Sequence, residues 1–266
     1  GSQYRDQTSV VPLPSLGFNW TLGTPTLGPV LGRSEVRLFG GVHRGYTPPS
    51  SATFAIVGFD PPRATGANGG GFDLKAEKSW NSELGVRGRS EAGQFEVTGF
   101  YLYVEDLVGG RTRFQQNLGV VQSYGLESRA RIDGDVVAGP LPALDVSYTY
   151  LQSEVVEGLI TSAIDGTPVD IGGNALPAAP THKATVGLSK AFPDVGLRLS
   201  TTLSYRGRFY TDLENLTSTT NRGERGPVPA HTVLDAGVTY DYSDALRLKL
   251  TAKNVTDNVY IGSRLH

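Results

Sequence analysis

The feature of this sequence that most constrains its fold is a regular alternation of apolar and polar residues over long segments. In residues 246–253, Leu and Ala occupy every second position, and Arg, Lys and Thr fill the positions between them. Successive side chains of a β-strand point to opposite faces, so this pattern predicts a strand with one apolar and one polar face. Residues 197–209 keep the alternation for 13 residues, on the order of 40 Å at about 3.3 Å per residue.

The same alternation recurs along the whole chain. We predict an all-β fold with about ten strands, each antiparallel to its neighbours in the sheet. The predicted strands are residues 12–22, 34–46, 78–91, 94–108, 117–132, 143–154, 182–191, 195–211, 231–242 and 245–255.

The connections between these strands alternate in length. Every second connection is short or of middling length: 23–33, 91–93, 133–142, 193–194 and 243–244. The remaining connections are long at 47–77, 155–181 and 212–230, with a shorter one at 109–116. Alternate connections of an up-and-down sheet lie at the same end, and short turns opposite long loops are typical of outer-membrane β-barrels. We therefore predict an antiparallel transmembrane β-barrel; a soluble β-sandwich, which would have shorter strands, is the alternative.

The composition excludes several classes of function. The formal net charge is −2, whereas a general nucleic-acid-binding protein is usually basic. There is no Cys, which excludes disulfides, thiolate catalysis and Cys-ligated metals. No Gly-x-Ser-x-Gly motif is present, and no histidine has a ligand neighbour at the spacing of a metal site. We expect no enzymatic activity, no cofactor, no metal site and no nucleic-acid partner.

Five segments carry short motifs in a fixed order. They are residues 38–50 with a Gly-aromatic-x-Pro-Pro turn, residues 74–89, residues 117–132 with a Gly-Leu-Glu step, residues 176–188, and residues 231–240 together with 250–264. In this order they resemble the carboxy-terminal half of the TonB-dependent outer-membrane receptors. The ferric dicitrate receptor branch of that family has the most similar sequences at residues 42–45, 76–79 and 260–264.

The resemblance implies a barrel of roughly 22 strands around an amino-terminal plug. Residues 1–266 would supply strands 12 to 21, and we expect the plug, the first half of the barrel and the last strand to lie outside this sequence. The implied function is import of a ferric chelate, of the ferric dicitrate or siderophore type, across the bacterial outer membrane. The implied partners are the chelate, the lipid bilayer and the TonB complex, which acts through the plug. The alternatives are a passive porin-like or adhesive barrel, and uptake of cobalamin, a nickel chelate or a sugar.

Arginines near the predicted outer mouth are the candidate ligand-binding residues. Alternation places Arg206 and Arg208 on the polar face of the predicted strand 195–211, and a loop at the same end contributes further arginines. The planar fork of a guanidinium suits the carboxylate oxygens of a chelate. The candidate set is Arg44, Arg111, Arg113, Gln115, Gln116, Arg206, Arg208 and Tyr210. The alternative is that the arginines line the barrel wall or pair with the plug or with Glu83, Glu96 and Glu127.

Overall fold

Long antiparallel strands dominate the computed structural model, which describes residues 11–48, 75–111, 114–162 and 164–264. In chain order the strands are β1 (Ser15–Gly23), β2 (Glu35–Thr47), β3 (Glu77–Arg89), β4 (Gly93–Glu105), β5 (Val108–Arg111), β6 (Phe114–Asn117), β7 (Val120–Ile132), β8 (Ala143–Glu157), β9 (Leu159–Thr161), β10 (Pro168–Asp170), β11 (His182–Phe192), β12 (Leu197–Arg206), β13 (Phe209–Tyr210), β14 (Pro227–Val228), β15 (His231–Ser243) and β16 (Leu246–Ala252).

Ten of these strands form one sheet in the order β1-β2-β3-β4-β7-β8-β11-β12-β15-β16, and every neighbouring pair is antiparallel. The order in the sheet is the order in the chain, so the ten predicted strands and their antiparallel arrangement are confirmed. The six short strands form three hairpins, β5–β6, β9–β10 and β13–β14, within the long connections.

The two ends of the sheet differ, as the alternation of connection lengths predicts. One end, the turn end, carries the connections 24–34, 90–92, 133–142, 193–196 and 244–245. Two of these contain short helices, Gly28–Leu31 and Gly134–Ala138. At the opposite end, the loop end, β2 ends and β3 begins, and the connections 106–119, 158–181 and 207–230 lie there. Most of the predicted long connection 47–77 lies outside the described residues. Within the part of the chain that the structure describes, no helix is both long enough and apolar enough to cross a bilayer.

The strand register gives the sheet one apolar and one polar face. Leu199 lies opposite Val238, which lies opposite Leu250 on the edge strand β16. The next row, on the other face, contains Arg198 and Lys249. The apolar row is not covered by protein, and Leu250 is 71% exposed. A wide exposed apolar sheet face marks contact with a partner or a membrane.

Aromatic side chains collect near both ends of the apolar face. Near the loop end, Trp80 lies opposite Tyr103. Near the turn end, Tyr240 and Tyr242 pack edge to face with ring centroids 6.4 Å apart. Aromatic belts at the two edges of an apolar band are characteristic of transmembrane β-barrels, because amphipathic rings favour the membrane–water interface.

The prediction of one continuous strand over 195–211 is wrong. Strand β12 ends at Arg206, and the Gly207 amide donates a 2.8 Å hydrogen bond to the His182 carbonyl as the chain leaves the sheet. Phe209 then pairs with Val228 in the β13–β14 hairpin and is 4% exposed, although alternation predicts it on the apolar face. The apolar–polar alternation continues through β12 and β13, so the pattern does not indicate the break between them.

Candidate functional site

At the loop end, the described residues of three connections pack into a single body, here called the platform: 106–119, 158–181 and 207–230. Its apolar centre consists of Val104, Val121 and Val155, from the loop ends of three strands, with Ile171 from the second connection. Leu107 and Leu213, from the first and third connections, pack against this centre. The long loops are therefore held together by burial of apolar surface.

Side-chain amides join the second and third connections of the platform. The Asn215 side chain accepts a 2.8 Å hydrogen bond from the Ala175 amide and donates a 2.9 Å bond to the Ala175 carbonyl. Asn174 donates a 2.8 Å bond to the Leu213 carbonyl. Asn215 has φ of 53°, a left-handed conformation that Asn tolerates better than most residues. These contacts fix the relative position of the two connections.

A buried carboxylate organises the third connection. Asp212, which is 8% exposed, accepts hydrogen bonds from the amides of Leu216 and Gly226, at 3.2 and 3.3 Å. The neighbouring Thr211 hydroxyl donates a 2.9 Å bond to the Gly226 carbonyl. A carboxylate bonded to backbone amides in this way closes the loop on itself.

A second acidic residue ties the platform together from its other side. The Ser162 hydroxyl donates a 3.0 Å hydrogen bond to Glu214, and the Arg225 guanidinium lies 3.6 Å from the same carboxylate. In the nearby turn, two hydrogen bonds lower the pKa of the Asp165 carboxyl below its usual value. The larger effect comes from the Thr167 backbone amide and the smaller one from the Thr167 hydroxyl. The turn is thus held by an ionised carboxylate at neutral pH.

Arg206 lies on the polar face at the loop end of β12. Its neighbours across the strands are Lys183 and His231. Its guanidinium lies 4.1 Å from the centroid of the Phe209 ring, a cation–π contact. Its Nε atom is buried and has no hydrogen-bond partner among the described residues. Buried donors in proteins are almost always bonded, so the unpaired Nε distinguishes Arg206 among the described residues.

Arg208 and Tyr210 follow directly along the same segment. The Arg208 guanidinium lies 5.4 Å from the Tyr210 ring centroid, and the Arg208 side chain is exposed. Three of the predicted site residues thus lie where β12 enters the platform: Arg206 at the end of the strand, and Arg208 and Tyr210 in the first residues of the third connection.

Four further predicted site residues belong to the first connection of the platform. Arg111 pairs with Phe114 at the tip of the β5–β6 hairpin, and Gln115 and Gln116 lie on its second strand. The hairpin is at the loop end, as expected, but the positions of these three side chains and the whole of Arg113 lie outside what the structure describes. Their role in binding stays a prediction.

Arg44 is placed differently from the other candidates. It shares the apolar face with Val42 and lies opposite Trp80, with its guanidinium 5.8 Å from the Trp80 ring centroid. The residue that precedes it, His43, is on the polar face, where it contacts Asn81. A one-residue step in a strand changes the face, so the structure separates Arg44 from Arg206.

The wall arginines at the turn end have acidic neighbours on the polar face. Arg131 forms a 3.1 Å ion pair with Asp145, and Arg37 pairs with Glu35. Glu96 lies opposite both Arg87 and Arg129 in the strand register. These pairs support the expectation that part of the arginine set lines the wall.

Sequence reasoning missed the residues that build the platform, above all Asp212, Asn174 and Asn215. They stand in segments rich in Gly, Pro, Thr and Asn, which look like ordinary loops. The short apolar pattern at Val169 and Ile171 is the signal that could have indicated a buried hairpin there. Among the described residues, no group of three or more His, Asp or Glu side chains is arranged to hold a metal ion.

An antiparallel sheet with an exposed apolar face, two aromatic belts, tight turns at one end and packed loops at the other defines the wall of an outer-membrane β-barrel. The family model described as "TonB dependent receptor-like, beta-barrel" matches residues 1–255. The chain belongs to this family, whose members are transport receptors of the Gram-negative outer membrane and not enzymes. The resemblance drawn from the five sequence motifs is confirmed.

Solved structures with the same fold include the ferric citrate transporter FecA in its unliganded form, with a TM-score of 0.70, 20% identity, and coverage of 96% of this chain and 35% of that one. The siderophore receptor PiuA from Acinetobacter baumannii has a TM-score of 0.67 and 17% identity, covering 94% and 32% of the two chains. The copper transporter OprC has a TM-score of 0.64 and 16% identity, covering 94% and 34%. The chain therefore spans about a third of the length of these structures.

Proposed function

We propose that this chain forms part of the wall and outer mouth of a TonB-dependent receptor that imports an anionic ferric chelate across the outer membrane. The polar face is then the inner surface of the barrel, and the loop end faces the outside of the cell. The platform, with Arg208 and Tyr210 in its third connection, and the adjoining Arg206 form one side of the ligand vestibule.

The observation that carries this proposal is the Arg206 side chain. Its guanidinium is oriented by the Phe209 ring, while its buried Nε atom has no acceptor among the described residues. Arg208 adds a second, exposed guanidinium two residues further along. Both guanidinium groups lie over rings, and neither pairs with a carboxylate of the described residues, which supports the availability of their donors for the oxygens of a chelate.

The structural relatives support import but differ in what they carry. By their titles, FecA is a ferric citrate transporter and PiuA is a siderophore receptor, whereas OprC is a copper transporter. The arginine pair favours an anionic ligand, and a ferric chelate with free carboxylates fits this requirement. Family membership supports energy supply by the TonB complex through a plug inside the barrel, and disfavours a passive porin-like or adhesive barrel.

The test is ligand binding to the complete receptor with Arg206 and Arg208 each replaced by Gln. A charge-assisted hydrogen bond contributes about 1.5–3 kcal/mol, so each replacement should weaken binding of ferric dicitrate about ten- to a hundredfold. Arg198→Gln is the matched control, because Arg198 lies on the same face of the same strand at the turn end. It should leave the affinity unchanged.

Uptake of radiolabelled iron tests the transport mechanism in the same cells. Uptake should disappear in cells that lack TonB, while ligand binding at the surface persists. Unchanged affinity in both Gln variants, at normal surface levels, would contradict the arginine site. Uptake that continues without TonB would instead contradict active import and favour a passive barrel.

A further inference from the structure

Three basic side chains lie in one row at the loop end of the polar face. Arg206 on β12 is opposite Lys183 on β11 and opposite His231 on β15. Side chains that are direct neighbours across antiparallel strands lie about 5 Å apart at their Cβ atoms, so the row spans about 10 Å. Lys183 is exposed and His231 is half-buried. The row therefore extends the Arg206 site onto the strands on both sides of it.

The segment that follows β16 covers one face of His231. The rings of Tyr260 and His231 are nearly parallel, with centroids 4.5 Å apart and an interplanar angle of 14°. The Asn258 side chain donates a 2.8 Å hydrogen bond to the Thr232 carbonyl, and the Arg264 guanidinium donates bonds of 2.8 and 3.2 Å to carbonyls of the third connection. These bonds hold Tyr260 over the imidazole. Because the face of an aromatic ring attracts a cation, the stacked pair accommodates a protonated imidazole.

One hydrogen bond selects the tautomer of the neutral His231 ring. Its Nδ1 atom lies 3.4 Å from the Pro229 carbonyl oxygen. A carbonyl oxygen only accepts hydrogen bonds, so we assign the proton of the neutral ring to Nδ1, which leaves Nε2 as an acceptor. An acceptor repels the oxygen of a carboxylate, whereas Nε2 donates to such an oxygen once it carries a proton. Through Nε2, His231 therefore binds an anion only when the ring is protonated.

Within the described part of the chain, no carboxylate pairs with any of the three side chains of the row. Of the nearby acids, Asp235 accepts a 2.8 Å hydrogen bond from the Asn254 amide, and Asp212 and Glu214 are bonded within the platform. The other charged residues on the elements around His231 are Arg208, Arg222, Glu224, Asp257 and Arg264. An anion bound at the row would balance its charge and favour a proton on Nε2.

We propose that His231 is a further ligand-binding residue of the vestibule, which holds the transported anion through a protonated Nε2 atom beside Arg206. The proton comes from solvent, so ligand binding takes up a proton, and by linkage the affinity rises as the pH falls through the range in which histidine titrates. The ligand is then an anion with oxygen acceptors for at least two neighbouring cations. This inference rests on the proposed function, because it requires an anionic ligand at Arg206.

The first test measures ferric dicitrate binding to the complete purified receptor at about pH 8 and about pH 5.5, on either side of the range in which histidine titrates. The chelate itself changes protonation over this range, so the quantity compared is the ratio of the dissociation constants of His231→Gln and the wild type at each pH. The ratio should be near one at the higher pH and about ten at the lower pH, where one charge-assisted hydrogen bond is lost. His182→Gln is the control, since His182 lies on the apolar face, bonded to Tyr148. Its ratio should stay near one.

A second variant, His231→Lys, carries its charge at both pH values and guards against misfolding of the first. It should bind ferric dicitrate more tightly than the wild type at the higher pH and equally at the lower pH. Calorimetry in buffers of different ionisation enthalpy should show that the wild type takes up more protons on binding than His231→Gln does. The proposal is wrong if both variants change the affinity by the same factor at the two pH values, or if proton uptake is equal.

Arg206→Gln separates this inference from the proposed function. It should weaken ferric dicitrate binding at both pH values, because a guanidinium stays charged throughout. No effect of Arg206→Gln at either pH would contradict the proposed function. Weaker binding by Arg206→Gln, together with a pH-independent ratio for His231→Gln, would overturn the role of His231 alone.

Discussion

At the scale of the residue, the aromatic rings beside the arginines are as informative as the charges. Arg206 and Arg208 lie over Phe209 and Tyr210, within a segment that leaves the sheet after Gly207. A ring face orients a guanidinium without occupying its N–H donors, whereas a carboxylate uses them. This difference separates the rim arginines from Arg131, which is paired with Asp145 and lines the wall.

Two adjacent residues on β16 test the division of faces. Leu250 lies opposite Val238 on the apolar face, and Thr251 lies opposite Gly237 on the polar face. An Arg at the lipid-facing midplane of such a barrel costs about 2–4 kcal/mol, so Leu250→Arg should lower the free energy of unfolding by about that amount. Thr251→Arg should change it far less, because its side chain meets water. Refolding of the complete receptor into lipid vesicles with a urea titration measures both, and equal effects would show that the strand register is wrong.

At the scale of the element, alternation predicts the strands of the sheet and fails at their ends. Period two identifies which residues share a face, but it does not say which partner a strand pairs with. Residues 209–210 continue the alternation of β12, yet they pair with Pro227–Val228 from the far side of a loop. The platform was unpredictable for the same reason: the contact between Asn215 and Ala175 joins residues 40 positions apart. Only the tertiary structure selects such a pair.

The Asn215 contacts predict that the second and third platform connections move together. Asn215→Ala removes two hydrogen bonds to Ala175 and puts a residue with a Cβ but no polar group at φ 53°. Backbone amides in both 158–181 and 207–230 should then exchange with deuterium faster, since about 1–3 kcal/mol of local stability is lost. The control Thr217→Ala changes an exposed residue of the same loop. Faster exchange confined to 207–230 would contradict a single body.

At the scale of the whole molecule, the sheet is an open segment of a barrel wall. Its outermost strands, β1 and β16, each have one neighbour among the described residues. Open strand edges favour pairing with further strands, and a sheet in lipid must close to satisfy its backbone. The family match and the exposed apolar face both agree with a wall that is completed by the remainder of a receptor. The fold class and the location in the outer membrane were therefore predictable from alternation and loop lengths, whereas the ligand was not, because it depends on the side chains at the rim.

The proposed function depends most directly on the orientation of the sheet in the membrane, and labelling of single cysteines in intact cells measures this orientation. Since the chain has no Cys, Arg222→Cys in the third platform connection and Asp194→Cys in the turn before β12 give unique sites. Both positions are exposed. A membrane-impermeant maleimide should label Cys at 222 in whole cells and reach Cys at 194 only after the outer membrane is opened. Equal labelling of both in intact cells, or labelling of 194 alone, would contradict the account.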